Sequence, residues 1–247
     1  MVTSVVGVQW GDEGKGRIVD YLAQKSDVVV RYQGGDNAGH TVENPYGKFA
    51  LHIVPSGIFN ENTVNIVGPG CVVNFQTLAE ELDNLPQGLK YNILIDVRSH
   101  VIFPFHKDLD GAEENSKSEK DKIGTTKRGI GPCYGDKIAR IGIRSGDLLL
   151  DDETMKAKIA KLLERKNKEL SMYGMKTYSA DDVFSLCGKW RKRFGDRICD
   201  CLPILKKAVD VDKEVLLEGQ LGIMRDIDWG IYPYCTSSST TAGGACA

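Results

Sequence analysis

Short runs of β-branched residues alternate with amphipathic segments along this chain. The apolar runs lie at 4–8, 27–32, 63–67, 92–97 and 214–219, and each is bounded by glycine, proline or polar residues. Such runs are typical of buried strands. A helical period follows several of them, as at 18–22 and at 75–85, where Asn74 is a suitable N-cap. Alternation of strands with helices predicts an α/β fold, a mostly parallel central sheet with flanking helices.

Residues 151–210 carry apolar side chains at helical spacing and few groups suited to chemistry. Two stripes stand out, one of Met155, Ile159, Leu162, Leu163 and Leu170 and one of Val183, Cys187, Trp190, Phe194, Ile198 and Leu202. This pattern indicates two packing helices. We therefore interpret 151–210 as a helical packing segment within a single α/β domain that spans 1–247.

The loop after the first predicted strand is rich in glycine and charge. Three glycines, Gly11, Gly14 and Gly16, surround Asp12, Glu13 and Lys15 just before a helical segment. A glycine-rich turn at a helix N-terminus lets backbone N–H groups converge on an anion, and a lysine supplies a countercharge for phosphate. Asp12 would repel phosphate unless it binds a divalent cation or acts as a base on a substrate. The sequence thus predicts a P-loop-like nucleotide-binding architecture.

This loop departs from the standard P-loop pattern, since Gln9 occupies the first glycine position and Gly16 replaces the hydroxyl residue. A glycine-rich turn without a ligand therefore remains an alternative for this loop alone. A second polar loop, 33–42, follows the next strand and carries Asn37, Gly39, His40 and Thr41. Loops at the carboxyl ends of parallel strands can face one crevice, where open α/β sheets bind ligands.

Composition narrows the class of function. The 247 residues are 41% hydrophobic and carry a net charge of −2, which gives no electrostatic basis for binding nucleic acid or a membrane surface. The N-terminal apolar run is interrupted by Gln9 and Asp12, so it resembles neither a signal peptide nor a membrane span. The seven cysteines are odd in number and scattered, which favours a reducing compartment.

Four separated blocks, in order, resemble the adenylosuccinate synthetase family. They are the segments 10–16 with 34–41, then 123–132, then 136–140, and finally 226–238. The resemblance implies a cytoplasmic, homodimeric enzyme that uses GTP and Mg²⁺, one ion per subunit, to join IMP to L-aspartate as adenylosuccinate through 6-phosphoryl-IMP. This is the first committed step of AMP synthesis.

The resemblance also implies roles for individual positions. Asp12 would be the catalytic base, His40 the acid, and Asp12 with the Gly39 carbonyl the metal ligands. Arg140 would reach the IMP site of the partner subunit. The implied GTP-binding positions are Gly11, Asp12, Glu13, Gly14, Lys15, Gly16, Gly39, His40 and Thr41. The implied IMP-binding positions are Asp12, Glu13, Gly14, Lys15, Asn37, Ala38, Gly39, His40, Thr126, Arg140, Gln220, Leu221 and Thr236.

Two features depart from the family pattern. Leu221 stands where the family has a polar residue, and Gln220 is the nearest substitute, one place away on the opposite face of a strand. The chain also resembles only the N-terminal part of a longer synthetase, without the family's aspartate loop and guanine-reading segment. A sheet that continues in a longer protein would here leave an unpaired edge.

Three interpretations follow from these features. The first is the ligase, the second is a truncated or non-catalytic nucleotide-binding fragment, and the third is another P-loop-like NTPase.

The polar stretch 113–122 predicts a solvated helix or a mobile loop that leads to the Thr125 and Thr126 hydroxyls.

Overall fold

The computed structural model describes residues 1–37 and 39–246. Six parallel strands form its central sheet in the order β1, β10, β2, β5, β7, β9. This confirms the predicted mostly parallel sheet. The sheet strands are β1 (Val2–Val5), β2 (Val28–Arg31), β5 (Val64–Val67), β7 (Asn92–Asp96), β9 (Ile198–Cys199) and β10 (Val215–Glu218).

Four further strands lie outside the central sheet. They form the antiparallel pair β3 (His40–Asn44) with β4 (Gly47–Leu51), and the parallel pair β6 (Val72–Val73) with β8 (His100–Val101). The α-helices of the described chain are α1 (Lys15–Ala23), α2 (Phe75–Asp83), α3 (Pro104–Ser116), α4 (Ile130–Ala139), α5 (Asp152–Met172), α6 (Ala180–Phe194) and α7 (Leu202–Asp210). None of these helices is long and apolar enough to cross a bilayer.

Helices cover both faces of the sheet. Alternate residues of a strand point to opposite faces, so one strand packs against helices on both sides. Val29 of β2 packs with Val19 and Ala23 of α1, whereas Val28 and Val30 pack with Ala208 of α7. A third and larger core joins α2, α3, α5 and α6, where the Trp190 ring stacks on that of Phe75. The sheet is therefore buried on both faces at its centre, as parallel sheets require.

The first strand differs from its prediction in place and burial. It spans Val2–Val5 rather than 4–8, and Val8 is 70% exposed in the following loop. Beyond the strand, Gly7 lies against the Leu221 carbonyl, which a Cβ at Gly7 would approach to 2.3 Å. β1 pairs only with β10, and its residues are exposed or half-buried, so it forms an edge of this sheet.

The segment 151–210 contains the predicted packing helices, with differences at its end. Met155, Ile159, Leu162, Leu163 and Leu170 are buried on α5, and the side chain of Asp151 caps that helix. The second stripe breaks after Phe194, because α6 ends there and Ile198 enters the edge strand β9. Leu202, predicted in the same stripe, begins α7 and is 60% exposed.

Candidate functional site

A cavity of about 230 Å³ opens between the loop after β1, the start of α1 and the start of β3. Most of its lining comes from positions that the sequence analysis assigned to nucleotide binding. They are Asp12, Gly14, Lys15, Gly16, Gly39, His40 and Thr41, joined by Leu221. We call this the phosphate cavity.

The turn that forms this cavity depends on left-handed backbone. Asp12 has φ of 59° and Gly14, the N-cap of α1, has φ of 86°. No side chain caps α1, so its first N–H groups are left for another acceptor. An uncapped helix N-terminus with lysine as its first residue suits an anion such as phosphate.

Glu13 stabilises the turn rather than lining the cavity. Its carboxylate accepts the N–H groups of Gln9 at 2.9 Å and Gly11 at 3.2 Å, and it lies 3.0 Å from Lys15 Nζ. Partial burial raises the pKa of Glu13, but these donors outweigh it and lower the pKa to about 2. The Lys15 ammonium is therefore held in place by a carboxylate, and Lys15 is among the residues that line the cavity.

His40 is the first residue of β3, and its ring is fixed by a buried carboxylate. Nδ1 of His40 lies 2.6 Å from Glu218 Oε1, and Nε2 has no hydrogen-bond partner among the described residues. Burial lowers the pKa of His40, and the Glu218 carboxylate only partly opposes this shift. The neutral ring donates Nδ1–H to Glu218, so Nε2 carries the lone pair of the ring, and His40 is among the residues that line the phosphate cavity.

Glu218 is the functional residue that sequence reasoning missed. It is fully buried at the end of β10 and also accepts the N–H of Ser56 at 2.9 Å and the Ser56 hydroxyl at 2.6 Å. Burial raises the pKa of Glu218, but the bond from His40 and the nearby Arg31 charge hold the pKa well below its usual range. The sequence signal that could have found Glu218 is a carboxylate in a strand of otherwise apolar residues.

A second cavity of about 350 Å³ adjoins the first. It brings together Asn37, Thr126 and Thr236, which come from three separate sequence blocks. Asp12 and Leu221 line both cavities. We call the second one the nucleoside cavity, and its shared wall places the Asp12 carboxylate between two compartments.

The two neighbouring residues Gln220 and Leu221 are placed differently. Gln220 is fully buried; its amide donates to the Gly35 carbonyl at 2.7 Å and accepts the Gly35 N–H at 3.1 Å. It therefore joins β10 to the loop 33–42 and does not line either cavity. Leu221, with φ of 61°, lines both cavities; the two residues lie beyond the end of β10, so their different orientations follow from a turn rather than from the alternation of a strand.

Three other predicted positions lie outside these cavities or cannot be placed. Gly11 packs on Leu221, since a Cβ at Gly11 would lie 3.2 Å from the Leu221 Cα. Arg140 ends α4 on another surface, in a groove of about 540 Å³ beside basic residues of α5. Ala38 lies outside the described residues.

The chemistry of the donor set fits Mg²⁺. Asp12 and Gly39 line the same cavity and offer a carboxylate and a carbonyl oxygen. Among residues 1–37 and 39–246, no group of three or more His, Cys, Asp or Glu side chains could hold a metal by itself. One carboxylate with phosphate oxygens is how proteins usually bind Mg²⁺.

Comparison with known proteins agrees with this geometry. A family model described as adenylosuccinate synthetase matches residues 4–247. The chain is 46% identical over 99% of its length to the adenylosuccinate synthetase of Dehalococcoides mccartyi and 45% identical to adenylosuccinate synthetase 1 of Methanosarcina acetivorans. It covers 58% and 57% of those relatives, respectively.

Solved structures give the same result. The fully ligated adenylosuccinate synthetase of Plasmodium falciparum superposes with a TM-score of 0.90 at 39% identity, covering 99% of this chain and 57% of that one. The succinoaminodeoxyadenylate synthetase of cyanophage S-2L shares the fold at a TM-score of 0.65 and 22% identity. The family match, which covers nearly the whole sequence, shows that this chain belongs to the adenylosuccinate synthetase family.

Proposed function

We propose that this chain carries the catalytic nucleotide sites of a GTP-dependent ligase that joins IMP to L-aspartate and forms adenylosuccinate. The observation that supports this most directly is the pair of adjoining cavities with Asp12 in their shared wall. A carboxylate between a phosphate compartment and a nucleoside compartment can act on both ligands. The step belongs to AMP synthesis, and its proposed place is the cytoplasm.

The first step is transfer of a phosphoryl group to IMP. Asp12 withdraws the N1 proton of IMP, so that O6 gains charge and attacks the γ-phosphoryl group of GTP. The uncapped amides of α1 and the Lys15 ammonium offset negative charge on the transferring group. Mg²⁺, held by Asp12 and the Gly39 carbonyl, would supply further charge neutralisation when bound.

His40 acts on the phosphate side of the reaction. Glu218 occupies Nδ1, so Nε2 is the ring nitrogen without a partner among the described residues, and His40 lines the phosphate cavity. The neutral ring presents a lone pair at Nε2, and the negative charge of a bound phosphate favours uptake of a proton from solvent by that nitrogen, after which His40 donates to a phosphate oxygen. Glu218 stabilises that form as a buried counterion.

The second step forms the carbon–nitrogen bond. The amine of aspartate attacks C6 of 6-phosphoryl-IMP, and phosphate leaves with the oxygen that was O6 of IMP. Thr126, Asn37 and Thr236 are proposed to hold the IMP phosphate from within the nucleoside cavity. Arg140 is proposed to complete the IMP site of the partner in a homodimer, in keeping with its position away from both cavities.

Isotope transfer tests this sequence of steps. IMP labelled with ¹⁸O at O6 is incubated with the chain, GTP, Mg²⁺ and aspartate, and mass spectrometry follows the label. We expect labelled phosphate and adenylosuccinate in equal amounts. Unlabelled phosphate, released at the same rate without IMP, would instead indicate a GTPase.

A second candidate is a nucleotide-binding unit without ligase activity. It is supported by the two adjoining cavities, which can bind nucleotides whether or not the ligation step takes place. In this case calorimetry would detect binding of GTP and IMP, but no adenylosuccinate would form. The same ¹⁸O experiment therefore separates the two candidates.

A further inference from the structure

Helix α3 directs two acidic side chains at the segment 123–129, which we call the threonine loop. Asp110 and Glu114 lie four residues apart, hence on one face of the helix, and are only 8% and 5% exposed. The loop has left-handed backbone at Gly124, Lys127 and Gly129. Its N–H groups therefore depend on partners outside regular secondary structure.

The two carboxylates bind both ends of this loop. Glu114 accepts three consecutive N–H groups, from Ile123 at 3.4 Å, Gly124 at 2.6 Å and Thr125 at 3.4 Å. Asp110 accepts the Thr125 hydroxyl at 2.7 Å and the Gly129 N–H at 2.8 Å. One helix thus fixes the conformation of the loop through five hydrogen bonds.

These bonds give the two threonines different roles. The Thr125 hydroxyl is already used, because it donates to Asp110 and accepts the Lys127 N–H at 3.2 Å. Thr126 is exposed in the nucleoside cavity, and its hydroxyl makes no hydrogen bond to any residue that the structure describes. The loop geometry therefore leaves the second hydroxyl for a ligand.

We propose that Asp110 and Glu114 are positioning residues that hold the threonine loop so that the Thr126 hydroxyl meets the ligand phosphate. The inference rests on the proposed function, since that function places a nucleoside monophosphate in this cavity. Carboxylates have the wrong charge for direct contact with phosphate. Asp110 and Glu114 stand beside a phosphate-binding hydroxyl because they accept hydrogen bonds from the loop N–H groups and so hold the loop backbone in place.

The test compares Glu114→Gln and Asp110→Asn with Asp108→Asn as the matched control. Asp108 lies on the same helix but lines neither cavity, and its carboxylate accepts the Tyr178 hydroxyl at 2.6 Å rather than a group of the loop. Calorimetry with IMP measures the Kd, and hydrogen exchange measures protection of the Gly124, Thr125 and Gly129 amides. We expect faster exchange and a Kd about tenfold higher in the two test variants, and neither change in the control.

A double-mutant cycle separates positioning from general stabilisation. If Asp110 and Glu114 act through Thr126, Glu114→Gln adds little to the loss of affinity that Thr126→Ala causes alone. Additive losses would overturn the inference, as would IMP binding that is unchanged despite faster loop exchange. If the unsubstituted chain fails to bind IMP, the proposed function is overturned and this inference with it.

Discussion

The role proposed for Asp12 depends on where one carboxylate stands. It lines both cavities and is exposed, so replacing it removes a charge without unpacking a core. At this scale the sequence was informative, because a carboxylate inside a glycine-rich phosphate loop has few structural explanations. The motif singled out Asp12, which lines both cavities, and its role as the base stays a prediction.

Asp12→Asn should lower kcat for adenylosuccinate formation by about 10²- to 10⁴-fold, because asparagine cannot accept the N1 proton of IMP. The melting temperature should stay unchanged. Steady-state assays measure kcat, and Asp20→Asn, on α1 but outside both cavities, is the control. Turnover within a fewfold of the unsubstituted enzyme would remove Asp12 from the role of base.

The tautomer of His40 is a second property of a single residue. Glu218 accepts from His40 and twice from Ser56, and as an ionised carboxylate it can only accept. Sequence reasoning selected His40 but could not predict this partner, because 178 residues separate the two. Pairing of residues so far apart in the sequence follows from the order of strands in the sheet, which local sequence patterns do not predict.

Nitrogen-15 spectra of the His40 ring should show a proton on Nδ1 and none on Nε2. In Glu218→Gln the amide offers one acceptor oxygen for three donors, so we expect the ring to exchange tautomer, or the Ser56 bonds to break. The free energy of unfolding should fall by about 1–3 kcal/mol. A ring protonated on Nε2 in the unsubstituted protein would contradict the proposed arrangement.

At the scale of elements, the site depends on close contact between α1 and β3. A Cβ at Gly16 would lie 2.6 Å from the His40 Cβ, so the helix can approach the strand only with glycine there. Sequence reasoning assigned the glycine spacing of this loop a role in anion binding. The structure adds a packing role that spacing alone does not indicate.

Gly16→Ala should push α1 away from His40, lower the free energy of unfolding by about 1–3 kcal/mol and weaken GTP binding. Gly188→Ala is the matched control, because Gly188 is exposed on α6 and a Cβ there meets nothing within 4 Å. That control should gain about 0.5–1 kcal/mol from helix propensity. Urea unfolding and GTP calorimetry measure both effects, and equal behaviour of the two variants would contradict the packing role.

For the whole molecule, the sheet order explains what the sequence could and could not predict. Strand and helix types followed from local periodicity, but β10 inserts between β1 and β2 although it lies near the other end of the sequence. The consecutive strands β1 and β2 are therefore not adjacent in the sheet. This insertion brings Glu218 and Leu221 between the two glycine-rich loops and completes the phosphate cavity.

Buried histidines should make the stability of the whole molecule depend on pH. His100 on β8 is 5% exposed, and its Nδ1 lacks a partner within the described chain. Burial first, then the charges of Lys137 and Arg144, lower its pKa from 6.5 to about 4, against a smaller opposing effect of Asp147. Burial also lowers the pKa of His40 and His106.

A lowered histidine pKa means that the unfolded chain binds the proton more readily than the folded one. His100 therefore contributes its full stability above pH 6.5 and loses it as the pH falls toward 4. Between pH 7 and pH 5 the expected loss from this residue is about 2 kcal/mol. Urea unfolding of the unsubstituted chain and of His100→Gln at both pH values measures it. In His100→Gln the free energy of unfolding should fall by about 2 kcal/mol less between pH 7 and pH 5 than in the unsubstituted chain. Equal losses in the two proteins would mean that His100 is protonated in the folded state.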